Sequence, residues 1–347
     1  MNYPLIDTLA RGGKSAEIWR SPDGSTVFVL PHGGRILGLV APGSKRNFLW
    51  THPALGSIDS LRTFYESSHW HNSGGDRTWL SPEIDFFLPR FPTPDPYVQP
   101  RELDPGNFQL AHENGSIRLT NRCALRLSRS QHVVDCEISK LLNSATNPLQ
   151  QDDECAVSLM YAGFTLKTRL TFSNPNADSV FISLWSLVQL PHGGELLIPT
   201  LSRSTPIPFF GKVNGDDLLV TEHLVRYRMR SRDSHKLGFG PSAVTGRVGY
   251  FYSDGPDSCL VIRNFAVAPA EKYLDVPWST PGTSGSAIEG CSVNGELGKF
   301  SELEYHSPAI GGSVGDFDFE DESQLWAFRG KECDILKAAR ILISPEV

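Results

Sequence analysis

Three side chains that can take part in acid–base chemistry alternate within "FSELEYHSPAI", residues 300–310. They are Glu302, Glu304 and His306. If this stretch is a β-strand, all three lie on one face, because strand side chains repeat with a period of two. Such a face is either the charged, solvated side of an edge strand or the floor of a site. We expect no metal ion here, because alternate residues on one strand diverge too much to bind one ion without ligands from elsewhere.

A second polar segment, "SSHWHNSGGDRTWLSPEIDFF", contains His69, His71, Arg77, Trp79 and Glu83. An arginine guanidinium can bind sugar hydroxyls or carboxylates, and an indole ring stacks on the apolar face of a pyranose. Two histidines two residues apart are a weak metal signal. A turn at the glycine pair with hydrogen-bonded histidines is the better interpretation of either histidine alone.

The stretch "FISLWSLVQLPHGG" predicts a strand with one apolar face. Trp185 and Gln189 share the other face, which indicates the lining of a partly wet cleft. A core tryptophan with an exposed glutamine beyond it explains the pattern equally well. His192 follows in a predicted turn.

Strand patterns dominate the elements that must position these residues. Alternating or β-branched runs recur along the chain, closed by Gly, Asn, Asp or Pro, and only "LGSIDSLRTFYES" predicts a turn or two of helix. Two long loops stand out: one with six prolines from Pro89 to Pro105, and the Gly/Ser-rich "WSTPGTSGSAIEGCSVNGELG". Neither separates regions of different composition. We therefore predict an all-β fold, a sandwich of large antiparallel sheets forming a single domain over residues 1–347.

Composition narrows the function classes. The 347 residues carry a net charge of −7 without a basic stripe, which argues against nucleic-acid binding. No apolar run approaches a membrane span, and the N-terminus lacks a signal-peptide pattern. The six cysteines are scattered and expected to be reduced. These features predict a cytoplasmic protein without a cofactor, a nucleic-acid partner or a membrane partner.

Taken together, these segments resemble the galactose mutarotase-like (aldose 1-epimerase) superfamily. They are most similar to bacterial branches in which "GGDRTWLSPE", "LWSLVQLPHGG" and "ELEYHSP" recur in this order. The resemblance spans most of the chain, from "HGGRILGL" to "ELEYHSPAI". It implies a β-supersandwich of two large, mostly antiparallel, twisted sheets with a sugar site on a concave face.

The resemblance also implies residue roles. The catalytic base of mutarotases is a glutamate after leucine, followed shortly by proline, which Glu304 matches; the sugar-binding arginine corresponds to Arg77. The general acid is a histidine before Tyr-Phe-Asn, and Trp185 stands in its place. Indole is no acid of useful pKa, whereas ring opening needs a base on the anomeric hydroxyl and an acid on the ring oxygen. His71, His192 and His306 are the candidate substitutes.

The leading expectation is recognition of a small sugar or an oligosaccharide in a cleft. In it Glu304 is the base, Arg77 and Gln189 hold hydroxyls, and Trp79 and Trp185 stack on the ring. Whether the cleft also catalyses an epimerase-like reaction stays open at this stage. A glycosidase or lyase is the alternative, with Glu83 or Glu302 facing Glu304 at about 5–5.5 Å for a retaining glycosidase or 6.5–9.5 Å for an inverting one.

Overall fold

The computed structural model describes residues 3–152, 158–175 and 180–347. Within them, twenty strands form two large sheets in which every neighbouring pair runs antiparallel. The all-β sandwich predicted from the sequence is confirmed.

The first sheet contains the strands that carry the polar motifs. In spatial order its strands are β1 (Glu17–Arg20), β2 (Thr26–Leu30), β3 (Arg35–Val40), β4 (Asp76–Ser81), β9 (Phe181–Pro191), β18 (Gly298–His306), β17 (Ile288–Gly295), β14 (His235–Phe239) and β11 (Ile207–Phe210), and β19 (Ile310–Gly311) pairs with β9.

The second sheet covers one face of the first. In spatial order its strands are β12 (Leu218–Val220), β13 (Leu224–Arg228), β10 (Glu195–Pro199), β15 (Arg247–Asp254), β16 (Asp257–Phe265), β20 (Gly315–Gly330), β8 (Met160–Asn174), β7 (Val133–Ser144), β6 (Ser116–Arg126) and β5 (Gln109–Glu113).

Helices are few and short among the described residues. They are α1 (Pro4–Arg11), α2 (Ile58–Glu66), α3 (Glu83–Phe86) and α4 (Glu332–Leu342), with 3₁₀ turns at Pro53–Gly56 and Gly215–Asp217. The predicted helical stretch coincides with α2, whose Ser57 side chain caps the first turn by accepting the Ser60 N–H. No helix in the described ranges is long and apolar enough to cross a membrane.

The main hydrophobic core lies between the sheets. Val188 and Leu303 from the first sheet pack in one cluster with Leu196 and Val261 from the second. Along β9 and β18, residues that face the main core therefore alternate with residues that face the site, as a period of two requires. The cysteines of the described ranges are free; Cys155 lies outside them.

The pairing of the central strands brings distant residues into rows. Across β4, β9 and β18, Trp79 pairs with Trp185, and Trp185 pairs with His306. In the next row Leu187 lies between Arg77 and Glu304. The three polar motifs found in the sequence thus occupy three adjacent strands of one sheet.

Candidate functional site

A cavity of about 210 Å³ lies on the first sheet, on the face away from the main core. Its floor consists of side chains from β4, β9, β14, β17 and β18, and its walls come from loops. Six of the residues selected from the sequence line it, and they are Arg77, Trp79, Glu83, Trp185, Glu302 and Glu304.

Glu304 is buried at the floor, with 1% of its surface exposed. Its Oε2 accepts the Trp185 Nε1–H at 2.8 Å and lies 3.2 Å from the Lys236 Nζ. Burial raises the pKa of Glu304 to about 8, against the opposing effect of the Lys236 ammonium. The indole that replaces the expected acid therefore serves Glu304 as a hydrogen-bond donor.

Arg77 and Gln189 converge on Glu302 and not on open space. The Arg77 Nη2 lies 2.8 Å from Glu302 Oε1, and the Gln189 Nε2 donates to the same oxygen at 3.0 Å. The Arg77 guanidinium also lies 4.2 Å from the ring centre of Trp79. Gln189 is fully buried and does not line the cavity; it reaches only Glu302, which does. The solvent-accessible face predicted for β9 is therefore closed to solvent at this residue.

Lys236 on β14 is a site residue that no sequence pattern singled out. Its Nζ lies 2.6 Å from Glu289 Oε2 and 4.6 Å from the ring centre of Trp185. Burial lowers the pKa of Lys236, but the carboxylates of Glu289 and Glu304 outweigh burial and hold it well above its ordinary value. The one signal in the sequence that could have pointed to it is a lysine within the short strand-like stretch "SHKLGFG".

Two long loops reach the cavity through Glu83, the first residue of α3. Glu83 Oε1 accepts the Tyr97 hydroxyl at 2.7 Å, and its Oε2 accepts the Trp278 Nε1–H at 2.8 Å. Tyr97 belongs to the proline-rich loop, and Trp278 begins the Gly/Ser-rich segment. Both loops singled out by composition thus contribute an aromatic wall, and Trp70 adds a third.

The three candidate histidines lie outside the cavity lining. His306 is fully buried behind Trp185, with ring centres 5.5 Å apart, and burial lowers its pKa to about 4. His71 lines a neighbouring cavity and His192 contacts Ser292; burial lowers the pKa of both. None of the three lies among the residues that line the cavity around Glu304.

The arrangement defines a class: an antiparallel double-sheet protein with an open, tryptophan-walled cavity on one sheet and buried charged groups at its floor. Residues 52–339 match a family described as "Family of unknown function (DUF6786)", so the chain belongs to that family. A comparison with curated proteins gave no match.

Solved structures extend the likeness to the whole fold. The chain is similar to the Slr1438 protein from Synechocystis sp. PCC 6803, with TM-score 0.50 and 11% identity over 91% of this chain and 96% of that one. A galactose mutarotase-like protein from Lactobacillus casei has a TM-score of 0.49 and 11% identity, covering 90% of this chain and 100% of that one. A putative aldose 1-epimerase from Escherichia coli K12 has a TM-score of 0.46 and 11% identity, covering 91% of this chain and 99% of that one. At these identities the likeness is one of fold alone.

Proposed function

We propose that this protein binds a carbohydrate in the cavity above Glu304. The observation that carries the proposal is the combination of four indole rings with buried hydrogen-bonding charges around one small cavity. Its tryptophans are Trp70, Trp79, Trp185 and Trp278. Indole faces suit the apolar faces of sugar rings, and fixed polar groups suit their hydroxyls.

The half-exposed tryptophans, Trp70 and Trp278, are the best placed to stack on a ligand. Trp79 and Trp185 are buried and already contact protein groups, since Arg77 lies over Trp79 and Lys236 lies over Trp185. In our proposal these inner rings shape the floor of the cavity and the outer two stack on the sugar.

The size of the cavity suits one sugar ring. Its volume of about 210 Å³ exceeds the roughly 150 Å³ of an engineered cavity that holds benzene. A neighbouring cavity of about 520 Å³ shares Trp70, Tyr97 and Gln99 with it. A glycoside or oligosaccharide can therefore place one ring at Glu304 and extend past Trp70.

An epimerase-like reaction is the second candidate, and the Glu304–Lys236 contact of 3.2 Å is the observation that favours it. Mutarotation needs a proton acceptor at the anomeric hydroxyl and a donor at the ring oxygen. Glu304 is the acceptor and Lys236 the donor in this version. The raised pKa of Lys236 means that it holds its proton tightly, so we place recognition ahead of turnover.

A glycosidase through paired carboxylates fits less well. Glu302 and Glu304 have carboxylate oxygens within 4.8 Å of each other and approach the cavity from the same strand. A glycosidase needs its two carboxyl groups to flank the scissile bond. Glu302 is also held by Arg77 and Gln189, and Glu83 is held by Tyr97 and Trp278.

Calorimetry with a panel of mono- and oligosaccharides tests the proposal. We expect saturable binding of at least one sugar, weakened about fivefold or more in Trp278→Leu, because loss of ring stacking costs on the order of 1 kcal/mol or more. Trp278→Phe is the matched control, since it keeps an aromatic face and should bind more tightly than the leucine variant.

Failure of every sugar in the panel to bind would refute the proposal.

Polarimetry on freshly dissolved α-glucose and α-galactose tests the second candidate. Rapid mutarotation that disappears in Glu304→Gln would place turnover ahead of recognition.

A further inference from the structure

Behind the cavity floor lies a second cluster that neither sugar binding nor proton transfer uses. Asp275 comes from the segment between β16 and β17, Glu289 from β17, and His306 from the end of β18. Their exposed fractions are 1%, 0% and 0%. One ligand-type atom from each lies within 4.8 Å of those of the other two.

Each residue of this cluster presents a buried atom without a hydrogen-bond partner among the described residues when both carboxyl groups are ionised; protonation of one would let Asp275 and Glu289 hydrogen-bond to each other. These atoms are Asp275 Oδ2, Glu289 Oε1 and His306 Nε2. The opposite sides of two of the residues are held, because Asp275 Oδ1 accepts the Glu83 N–H at 2.8 Å and His306 Nδ1 lies 2.9 Å from Ser81 Oγ. This pattern fits metal-binding histidines, which commonly use the second ring nitrogen for a fixing hydrogen bond.

The geometry at His306 suits either an Nε2–H directed at Glu289 or a cation bound between the two residues, depending on the tautomer of the ring. Its Nε2 lies 3.3 Å from Glu289 Oε2. When Nδ1–H donates to Ser81, the Nε2 lone pair faces a carboxylate oxygen, and the two repel unless a proton or a cation lies between them. A cation satisfies both atoms and also Asp275 Oδ2.

The charge balance of the region points the same way. Five buried carboxyl groups face two buried cations, so part of the carboxyl charge must be compensated by protons or by a further cation; these residues are Glu83, Asp275, Glu289, Glu302 and Glu304 against Arg77 and Lys236. Uncompensated buried charges are costly. Lys236 contacts Glu289 through Oε2, which leaves Oε1 for another cation.

We propose that Asp275, Glu289 and His306 bind a divalent transition-metal ion of the Zn²⁺ or Mn²⁺ type. One imidazole with two carboxylates favours such ions over Ca²⁺ or Mg²⁺, which take oxygen ligands alone. Zinc bonds of about 2.0–2.2 Å place ligand atoms roughly 3.3 Å from one another, which is the separation that His306 Nε2 and Glu289 Oε2 already have.

The sequence predicts that Glu302, Glu304 and His306 bind no single ion, because alternate residues on a single strand diverge. That reason does not apply to Asp275, Glu289 and His306, which come from three segments. Asp275 and Glu289 supply the ligands from other segments that Glu302, Glu304 and His306 lack among themselves. The group Cys291, Glu302 and Glu304 is equally compact, but both its carboxylates already accept hydrogen bonds. The site is independent of the identity of any sugar.

An ion here would also anchor the wall of the cavity. Asp275 lies three residues before Trp278, and Asp275 Oδ1 already holds the start of α3. A bond from the ion to Asp275 Oδ2 would tie the segment that carries Trp278 to β17 and β18. The metal would therefore be structural for the sugar-binding wall.

The test is metal content measured by mass spectrometry on full-length protein purified without metal-affinity resin. We expect about one zinc or manganese ion per chain, removable by a chelator and restored by titration with Zn²⁺ or Mn²⁺ alone. Asp275→Asn and His306→Gln should each reduce the affinity for the ion at least tenfold. Glu302→Gln, on the same face of β18, is the matched control and should retain the ion.

Ser81→Ala is a milder variant in case a ligand substitution prevents folding. It removes only the partner of His306 Nδ1, and a loss of 10- to 100-fold in metal affinity is expected. Substoichiometric metal in the purified protein, together with no heat on titrating the chelated protein with either ion, would overturn the proposal. The occupant of the cluster would then be a proton shared by Asp275 and Glu289.

Discussion

At the scale of the residue, Lys236 is the cation on which the cavity floor depends. It lies 2.6 Å from Glu289 and 3.2 Å from Glu304, and almost none of its side chain is exposed. Trp185 donates to Glu304 from the other side. Removing the ammonium would leave two buried carboxylates without their nearest compensating charge.

We predict that Lys236→Met lowers the free energy of unfolding by about 3–5 kcal/mol, the usual cost of breaking a buried ion pair from one side. Lys167→Met is the control, because Lys167 pairs with Glu322 at 3.0 Å on the exposed face of β8. An exposed pair contributes little to stability, because solvent and salt screen its charges. Urea denaturation of both variants checks the prediction, and equal losses would contradict it.

At the scale of the element, Gly75 sets the junction of β3, β4 and β9. Its N–H donates to Trp50 O at 2.9 Å, and its O accepts the Gln189 N–H at 2.9 Å. Its φ is +73°, and a Cβ added there would lie 2.3 Å from the carbonyl oxygen of Ile36. The glycine thus lets β4 enter the sheet in the register that places Arg77 beside Leu187.

We predict that Gly75→Ala is more destabilising than Gly43→Ala by about 1–3 kcal/mol, the usual cost of a core overlap. Gly43 has a φ of +75°, but open space surrounds its missing Cβ. Its substitution therefore measures the left-handed backbone strain alone, about 1–2 kcal/mol. Thermal or urea unfolding of the two variants separates the effects; equal losses would show that the contact with Ile36 relaxes freely.

At the scale of the whole molecule, buried polar pairs connect the two sheets across the core. Arg263 on β16 contacts Asp76 on β4, and the Tyr305 hydroxyl on β18 donates to Asp321 on β20 at 2.6 Å. Burial raises the pKa of Asp321 from 3.8 to about 6. The link between the sheets is therefore sensitive to pH.

The folded state binds the Asp321 proton more tightly than the unfolded state does. The stabilisation by this proton is full below about pH 4 and is lost as the pH rises through about 6. We predict that Asp321→Asn, which is neutral throughout, removes up to about 3 kcal/mol of this pH dependence, at 1.36 kcal/mol per pKa unit.

Asp318→Asn provides the matched control on the same strand. Asp318 is exposed, and its hydrogen bond with Arg169 lowers its pKa, so its contribution is lost as the pH falls. Denaturation curves from pH 4 to 8 should lose slope in Asp321→Asn and change little in Asp318→Asn, because the pKa of Asp318 is lowered from 3.8 and its titration lies below this range. The same slope in Asp321→Asn as in the wild-type protein would contradict the prediction.

The sequence by itself determined the strands and which side chains share a face. Its period of two placed Glu302, Glu304 and His306 together on β18, and Trp185 with Gln189 on β9, because the alternation of a strand is a local property. The short motifs "GGDRTWLSPE", "LWSLVQLPHGG" and "ELEYHSP" indicated the sandwich fold through their resemblance to a known superfamily. The proline-rich loop and the first part of the Gly/Ser-rich stretch were recognisable by composition, since proline and glycine act on the backbone locally, but the rest of that stretch forms β17 (Ile288–Gly295).

The tertiary structure alone decided what those faces meet. Lys236 and Asp275 reach the site from segments that the sequence analysis did not single out, and Glu289 lies in the Gly/Ser-rich stretch without having been connected to Glu304. Gln189 was predicted to lie in a wet cleft or at an exposed end, yet it is dry because Glu302, 113 residues away, accepts its hydrogen bond. Charge compensation and burial depend on strand order and loop closure, which are set by packing between distant segments and not by any local period.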